Sequence, residues 1–250
     1  KRIFEKPKIE YALRCLNSLI KSIKKVKEQK PDTLIKFQVI DDNSNDESLK
    51  KLKDLINSNS IDCEIIHHNN SEHKEKIAAE NNQETFGNLS SLLKCFEIAK
   101  REQSDLIYFV EDDYLHYDHS LVDMLDTYER ISSQHKDEII ICPSDYPFNY
   151  MTNEKTNILI GSQQHWRIIT KMLCTFMISK KMFQKHINNF EKTCEKRHDP
   201  FEKYLNEILQ KEIAISPIKS LAIHLTNVNS SYGLSPFIDY KKLWDENKVK

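Results

Sequence analysis

Apolar and polar positions alternate along this chain in two rhythms, one helical and one strand-like, and the two take turns through its first half. Leu13, Leu16, Ile20 and Ile23 recur at helical spacing and predict a helix over about Ile9 to Glu28. Ile35 to Ile40 reads as a strand, and Leu49, Leu52, Leu55 and Ile56 mark the helix that follows it, with Ser44 and Glu47 in the capping-box pattern. A strand over Asp62 to Ile66 comes next, then a long polar loop from His67 to Thr85. Leu89, Leu92, Leu93, Phe96 and Ala99 share one helical face, and Asn88 is the expected N-cap. Asp105 to Val110 is a short apolar, β-branched and aromatic run, the pattern of a strand buried on both faces. A helix carrying Leu121, Leu125, Tyr128 and Ile131 closes this half.

The second half is less regular. Ile139 to Cys142 and Cys174 to Ser179 read as strands, while Tyr146 to Gln164, with Pro147 and Gly161, reads as loop. Helices are expected around Phe183, Ile187 and Phe190, and after Asp199-Pro200 with Phe201, Leu205, Ile208 and Leu209 inward. Ser220 to Leu225 is the last strand, and the tail beyond Gly233 looks irregular. Strand–helix alternation predicts an α/β fold with a parallel, doubly wound sheet. No repeat or linker divides the chain, so the expectation is one domain over residues 1–250.

Two strands end in acid. Asp41 and Asp42 follow the strand at Ile40, and Glu111, Asp112 and Asp113 follow the one at Val110. Crowded carboxylates repel unless a positive group neutralises them, and a divalent cation with a phosphate beyond it is the natural partner. The plainer reading of either cluster alone is a solvated acidic loop. In open α/β sheets, however, ligands bind beyond the carboxyl ends of the strands, where both clusters would lie.

Composition narrows the classes. The net charge is -1, so no global field recruits nucleic acid or an anionic membrane. The basic run Lys21 to Lys27 is an outer helix face, or at most a peripheral membrane contact. The 6 cysteines show no zinc spacing and fit buried thiols in a reducing compartment, so a cytoplasmic location is expected. No apolar run approaches a membrane span and none reads as a signal peptide, although a chain opening at Lys1 fits a trimmed product.

With both acidic strand ends in view, the chain resembles nucleotide-sugar glycosyltransferases of the GT-A (Rossmann-like) fold. Val39 to Asp46 resembles the nucleoside-holding stretch of family-2 glycosyltransferases, and Phe109-Val-Glu-Asp-Asp-Tyr114 resembles their DxD-type metal motif. The Glu-Asp-Asp form, with the run onward through His116, is similar to that of N-acetylglucosaminyltransferase I. This resemblance spans about Arg2 to Leu225 and is clearest up to Leu125. It implies a mostly parallel central sheet flanked by helices, a nucleotide-sugar half over 1–135 and an acceptor half over 136–250.

The resemblance also implies roles. Asp113 would bind Mn²⁺ or Mg²⁺, Glu111 would reach the metal through water or contact the donor ribose, and Asp112 would meet the sugar. Asp41 and Asp42 would accept hydrogen bonds from the base and ribose, and Asn88 would lie near the donor. His224 is a candidate further metal ligand, because alternation sets it opposite Leu221, Ile223 and Leu225; a satisfied structural histidine explains it equally well. Asp199, with Glu202 second, would deprotonate the acceptor; a helix start explains Asp199-Pro200 as readily. Trp166-Arg167 would contact acceptor or diphosphate, or simply pack. The family fold opens with a strand whose donor loop would end at Arg2, so a truncated first strand is expected.

The implied activity is transfer of a sugar from a nucleotide-diphosphate donor to a glycan or lipid-linked acceptor, with inversion. Rivals are a sugar nucleotidyltransferase, which would want a glycine-rich phosphate loop that this chain lacks, and a non-catalytic nucleotide- or glycan-binding domain of the same fold.

Overall fold

The computed structural model describes residues 2–77, 80–226 and 229–249. In chain order its first half holds α1 (Lys8–Gln29), β1 (Phe37–Asp41), α2 (Asp46–Ser58), β2 (Cys63–His67), α3 (Gln83–Arg101), β3 (Leu106–Phe109), β4 (Tyr114–His116) and α4 (Ser120–His135). The second half continues with β5 (Ile140–Ile141), α5 (Phe148–Met151), β6 (Ile158–Ile160), β7 (His165–Ile169) and β8 (Phe176–Ser179). It ends with α6 (Lys180–Lys185), α7 (Ile187–Thr193), α8 (Lys203–Leu209), β9 (Ala214–Pro217), β10 (Ala222–His224) and α9 (Tyr240–Glu246). The class is α/β.

The sheet is mixed rather than mostly parallel. Its main body runs in the order β3-β8-β5-β9-β7-β6, and only β5 and β9 pair in parallel there. β1 and β2 form a separate parallel pair, and β4 pairs antiparallel with β10. The reason lies between β5 and β8. A parallel return needs a crossover of a dozen or more residues, normally a helix. Only the single turn of α5 stands there, and β6 turns back into β7 through the bond from Gly161 N–H to Gln164 O at 3.0 Å. Without a crossover helix in this stretch, the chain returns antiparallel to β5.

Helices cover both faces. On one side α1 presents Leu13, Leu16, Ile20 and Ile23 to Leu52, Leu55 and Ile56 of α2 and to Leu121, Met124 and Ile131 of α4. On the other, Leu89, Leu93 and Phe96 of α3 pack with Phe109, Phe176, Phe183 and Phe190. Each fully buried side chain of this size contributes about 1.5–3 kcal/mol. The chain's end folds back on its beginning: Arg14 Nη1 donates to Trp244 O at 2.6 Å, and its guanidinium lies 4.3 Å from the Trp244 ring. The tail expected to be irregular therefore contains α9. All 6 cysteines are unpaired, and Cys15, Cys142, Cys174 and Cys194 are buried.

Two helix starts differ from expectation. α2 is capped by Asn45, whose side chain accepts from Ser48 N–H at 2.8 Å, while Ser44 N–H turns back to Asp41 Oδ1 at 3.3 Å. α3 begins at Gln83, capped by Asn82, so Asn88 sits inside the helix and the expected long loop is shorter; residues 78–79 of it lie outside the described set. Asn82 competes well because its side chain reaches Thr85 N–H at 2.9 Å.

Candidate functional site

The acidic turn after β3 is held from three sides. Glu111 N–H donates to Thr175 Oγ1 at 3.0 Å, Leu225 N–H donates to Asp113 O at 3.0 Å, and β4 leads away into its ladder with β10. That ladder sets Tyr114 opposite His224. His224 Nδ1–H donates to Tyr232 O at 3.0 Å, and Nε2 faces Asp113 Oδ2 at 3.2 Å. The imidazole stacks on Tyr114 at 5.0 Å, and Thr226 donates its hydroxyl to the same Asp113 oxygen.

Charge follows this geometry. Burial opposes the charged form of His224, but the hydrogen bond and charge of Asp113 outweigh it and bring the imidazole up to about 9. Burial likewise pushes Asp113 up, yet His224 and Thr226 hold it below the usual carboxylate range. Glu111 has no such hydrogen bond, and the charge of His224 lowers it only in part. Desolvation, then Asp113, raises its carboxyl to about 8, with Glu202 and Asp112 adding to the repulsion. Glu111 is nevertheless open to solvent.

Glu202 lies close to Glu111. It immediately precedes α8, its carboxyl is raised by desolvation, and it lies within electrostatic reach of both His224 and Glu111. Tyr232, half-buried, is pushed up to about 12 by desolvation and by the neighbouring Glu202. Asp199, the expected base, is exposed three positions earlier and makes no side-chain hydrogen bond or ion pair among the described residues. The helix begins after Glu202, so Asp199 is not its cap either.

The second acidic strand end belongs to the separate β1–β2 pair and lies beside α3. α3 starts beside Asp42, whose carboxylate lies 3.2 Å from where a Cβ on Gly87 would be. It ends beside the start of β1, where Lys36 Nζ meets Glu102 Oε1 at 2.7 Å. β3 follows α3 after a short link and runs back, so β1 and β3 point the same way and both carry their acids toward the start of α3. Asp41 is buried, with His67 Nδ1 at 3.1 Å from its Oδ2. Asn88 is exposed one residue after Gly87. No hydrogen bond or ion pair joins Asp41 or Asp42 to the Glu111–Asp113 turn among the described residues.

The remaining candidates separate. Arg2 is exposed with its guanidinium 5.4 Å from the Tyr11 ring, and the next residue, Ile3, donates to Leu225 O at 3.2 Å, close to the acidic turn. Asp112 pairs with Lys8 at 3.5 Å across an exposed surface, a contact that contributes at most about 1 kcal/mol. Trp166 and Arg167 are buried: Trp166 packs against Gly161, and Arg167 donates to Tyr150 Oη at 2.7 Å and lies 3.6 Å from Asp145. Their place is in the core. A depression of about 570 Å³ near Ser104, Tyr128 and Lys181 lies at the opposite end of β3 and holds no comparable set of groups. Thr175, Thr226 and Tyr232, which position the acids, carry no local sequence signal; only their location on neighbouring segments makes them part of the site.

No group of three or more His, Cys, Asp or Glu side chains is arranged to hold a metal ion among the described residues. Asp113 and His224 are a pair. A pair still fits Mg²⁺ or Mn²⁺, because such ions take one or two protein ligands and fill their shell with phosphate oxygens and water. No helix among the described residues is long and apolar enough to cross a membrane. Compared with known proteins, the chain matches no protein-family model and no curated protein.

Proposed function

We propose that this chain is a metal-dependent glycosyltransferase of GT-A type, moving a sugar from a nucleotide-diphosphate donor to a glycan or lipid-linked acceptor with inversion. The observation that carries this reading is the gathering of Glu111, Asp113, His224 and Glu202 within electrostatic reach of one another beyond the end of β3.

Asp113, with His224 once its Nε2 proton is displaced, would hold the cation, whose charge would offset the negative charge that develops on the departing diphosphate. Asp41 and Asp42 would accept hydrogen bonds from the base and ribose, with Asn88 beside the donor and Asp112 near the sugar. Glu202 is the better base: desolvation raises its carboxyl, so it holds a proton more firmly than a solvated acid does. It takes the acceptor's hydroxyl proton as the new bond to the anomeric carbon forms and the bond to phosphate breaks.

The test is sugar transfer or release from labelled donors, after a thermal-shift panel of UDP, GDP, CDP and dTDP with and without Mn²⁺ has identified the base. Asp113→Asn should lower turnover by about 10²–10³-fold, and Glu202→Gln by about 10²–10⁴-fold. Asp199→Asn should leave turnover nearly unchanged. A second reading rests on Asp113 being satisfied by His224 and Thr226 without any ion, as in a binding domain that has lost its chemistry. Metal-dependent nucleotide binding with no turnover would establish that reading and end the first.

A further inference from the structure

Trp166 and Arg167, expected to meet the acceptor, are packed in the core, so whatever faces Glu202 on the acceptor side comes from elsewhere. A run of rings leads outward from the candidate metal pair. His224 stacks on Tyr114 at 5.0 Å, and the Tyr114 and Tyr146 hydroxyls meet at 2.5 Å. Tyr146 stands edge-on to Tyr232 at 5.5 Å, and Tyr232 stacks on Phe148 at 5.3 Å with the ring planes 10° apart. Phe148 N–H donates to Ser231 O at 2.7 Å, which ties the turn of α5 to the segment carrying Tyr232. Lys171 places its ammonium 4.4 Å from the centre of the Phe148 ring.

The run starts in the core and ends at the surface. Tyr114 and Tyr146 are buried, whereas Phe148, Lys171, Tyr232 and Glu202 are each only half covered. Glu202 lies within electrostatic reach of Tyr232. Rings held by neighbouring rings have little freedom left to lose when a ligand arrives, so this surface is preorganised.

Its polar ends are uncommitted. Among the described residues the Tyr232 hydroxyl makes no hydrogen bond, and the Lys171 ammonium makes neither a hydrogen bond nor an ion pair. The Glu202 carboxylate meets only its own backbone N–H. Two donors and an acceptor thus stand at the rim of an aromatic surface, each to be satisfied by water or by a ligand. A pyranose matches this set: its apolar C–H face fits against a ring, and its hydroxyls both donate and accept. A polyprenyl chain would use the rings and leave the polar groups unmet. A phosphate would bring another anion beside Glu202 and Glu154, both within reach of Tyr232.

We propose that Phe148, Tyr232 and Lys171 form the acceptor subsite beside Glu202, and that its ligand is an uncharged pyranose at the end of a glycan. The sugar lies against the open part of the Phe148–Tyr232 pair. One hydroxyl donates to Glu202 and accepts from Tyr232, and Lys171 donates to a second. That this sugar is the acceptor rests on the transferase reading; the sugar subsite itself does not.

Saturation-transfer NMR on the whole chain with methyl glycosides of the common pyranoses is the test, with polyprenyl phosphate in micelles as the rival probe. At least one glycoside should receive saturation, and Phe148→Leu should bind it about three- to tenfold more weakly. Phe148→Tyr keeps a stacking ring and should stay within about twofold of wild type. Tyr232→Phe, which keeps the stack and loses only the hydroxyl, and Lys171→Met should each weaken binding by about tenfold. Should Phe148→Leu lose its fold, these last two still decide, since neither takes anything from the core. No glycoside binding by the wild type, binding of polyprenyl phosphate alone, or wild-type affinity in both Tyr232→Phe and Lys171→Met overturns the proposal. Mn²⁺ with UDP or GDP, added to the same samples, keeps the two readings apart. Glycoside without nucleotide binding supports the subsite and ends the transferase reading; nucleotide without glycoside binding does the reverse.

Discussion

His116 gives the sharpest test of how the acidic turn is held. It follows the turn on β4 and is wholly buried. Tyr108 of β3 donates its hydroxyl to His116 Nε2 at 2.7 Å, and His116 Nδ1–H donates to Tyr114 O at 3.1 Å. Both ring nitrogens are used by a neutral imidazole, and a second proton has nowhere to go. Burial accordingly lowers this histidine from 6.5 to about 4, with the Tyr114 carbonyl opposing in part. Because the folded value is depressed, the unfolded chain binds the proton first as pH falls, and stability is lost below 6.5. The interval from 6.5 to 4 is 2.5, which at about 1.36 kcal/mol per pH unit amounts to about 3.4 kcal/mol once pH is below both values. About 2.5 kcal/mol of that is already lost near pH 4.5. The assay is urea unfolding of wild type and His116→Phe at pH 7.5 and near pH 4.5. The variant leaves Tyr108 Oη and Tyr114 O without a partner, so at pH 7.5 it should be less stable by about 1–3 kcal/mol. Other titrating groups cancel between the two proteins, and the gap should close or reverse by about 2.5 kcal/mol in acid. A gap of the same size at both pH values would refute the reasoning.

Three further outcomes can be read by thermal or urea unfolding. Gly161→Ala would place a Cβ 2.2 Å from Trp166 Nε1 and 2.9 Å from Thr127 Oγ1, and the Trp is buried with no room to move, so a loss of at least about 3 kcal/mol is expected; a loss under about 1 kcal/mol would show that the turn can shift. Lys180 Nζ donates to Ala99 O at 2.6 Å, Lys100 O at 3.0 Å and Glu102 O at 2.6 Å, covering the last carbonyls of α3, so Lys180→Met should cost about 1–3 kcal/mol. Asn45→Ala removes the cap of α2 and should cost about 1 kcal/mol, whereas Ser44→Ala should cost little, reversing the order that the capping-box pattern suggests.

What could be read in advance follows from what is local. The helices of the first half carry apolar residues at regular spacing, and α1, α2 and α4 lie where that spacing puts them. His224 stands out for the same reason: alternation along one strand separates it from Ile223 and Leu225, and while all three are buried, only His224 turns to Asp113. The start of α3 was not, because Gln83, Glu84 and Thr85 are polar and only the side chain of Asn82 marks the turn. The strand directions of the second half were hidden as well, since direction depends on how the chain returns and not on the strand's own residues. Asp199 and Glu202 lie on one short segment and differ in which way the backbone turns between them, and periodicity has nothing to say about that. Thr226 and Tyr232 enter through contacts made across the fold, and the raised carboxyl of Glu111 comes first from the protein packed around it, which its sequence neighbours do not reveal.

One consequence of the strand order concerns how this molecule meets others. Among the described residues β1 is bonded only to β2, and β3 only to β8, so each keeps a row of peptide groups unpaired with a strand along its other side. Helices already roof both faces, yet Phe37, Val39, Ile107 and Tyr108 stay only half covered. Such a seam is sticky: any extended apolar stretch that slips in gains backbone bonds and greasy cover together. Concentrated samples should therefore clump through these two rims first, and a lysine placed at Gln38 or Ile107 should keep them dispersed.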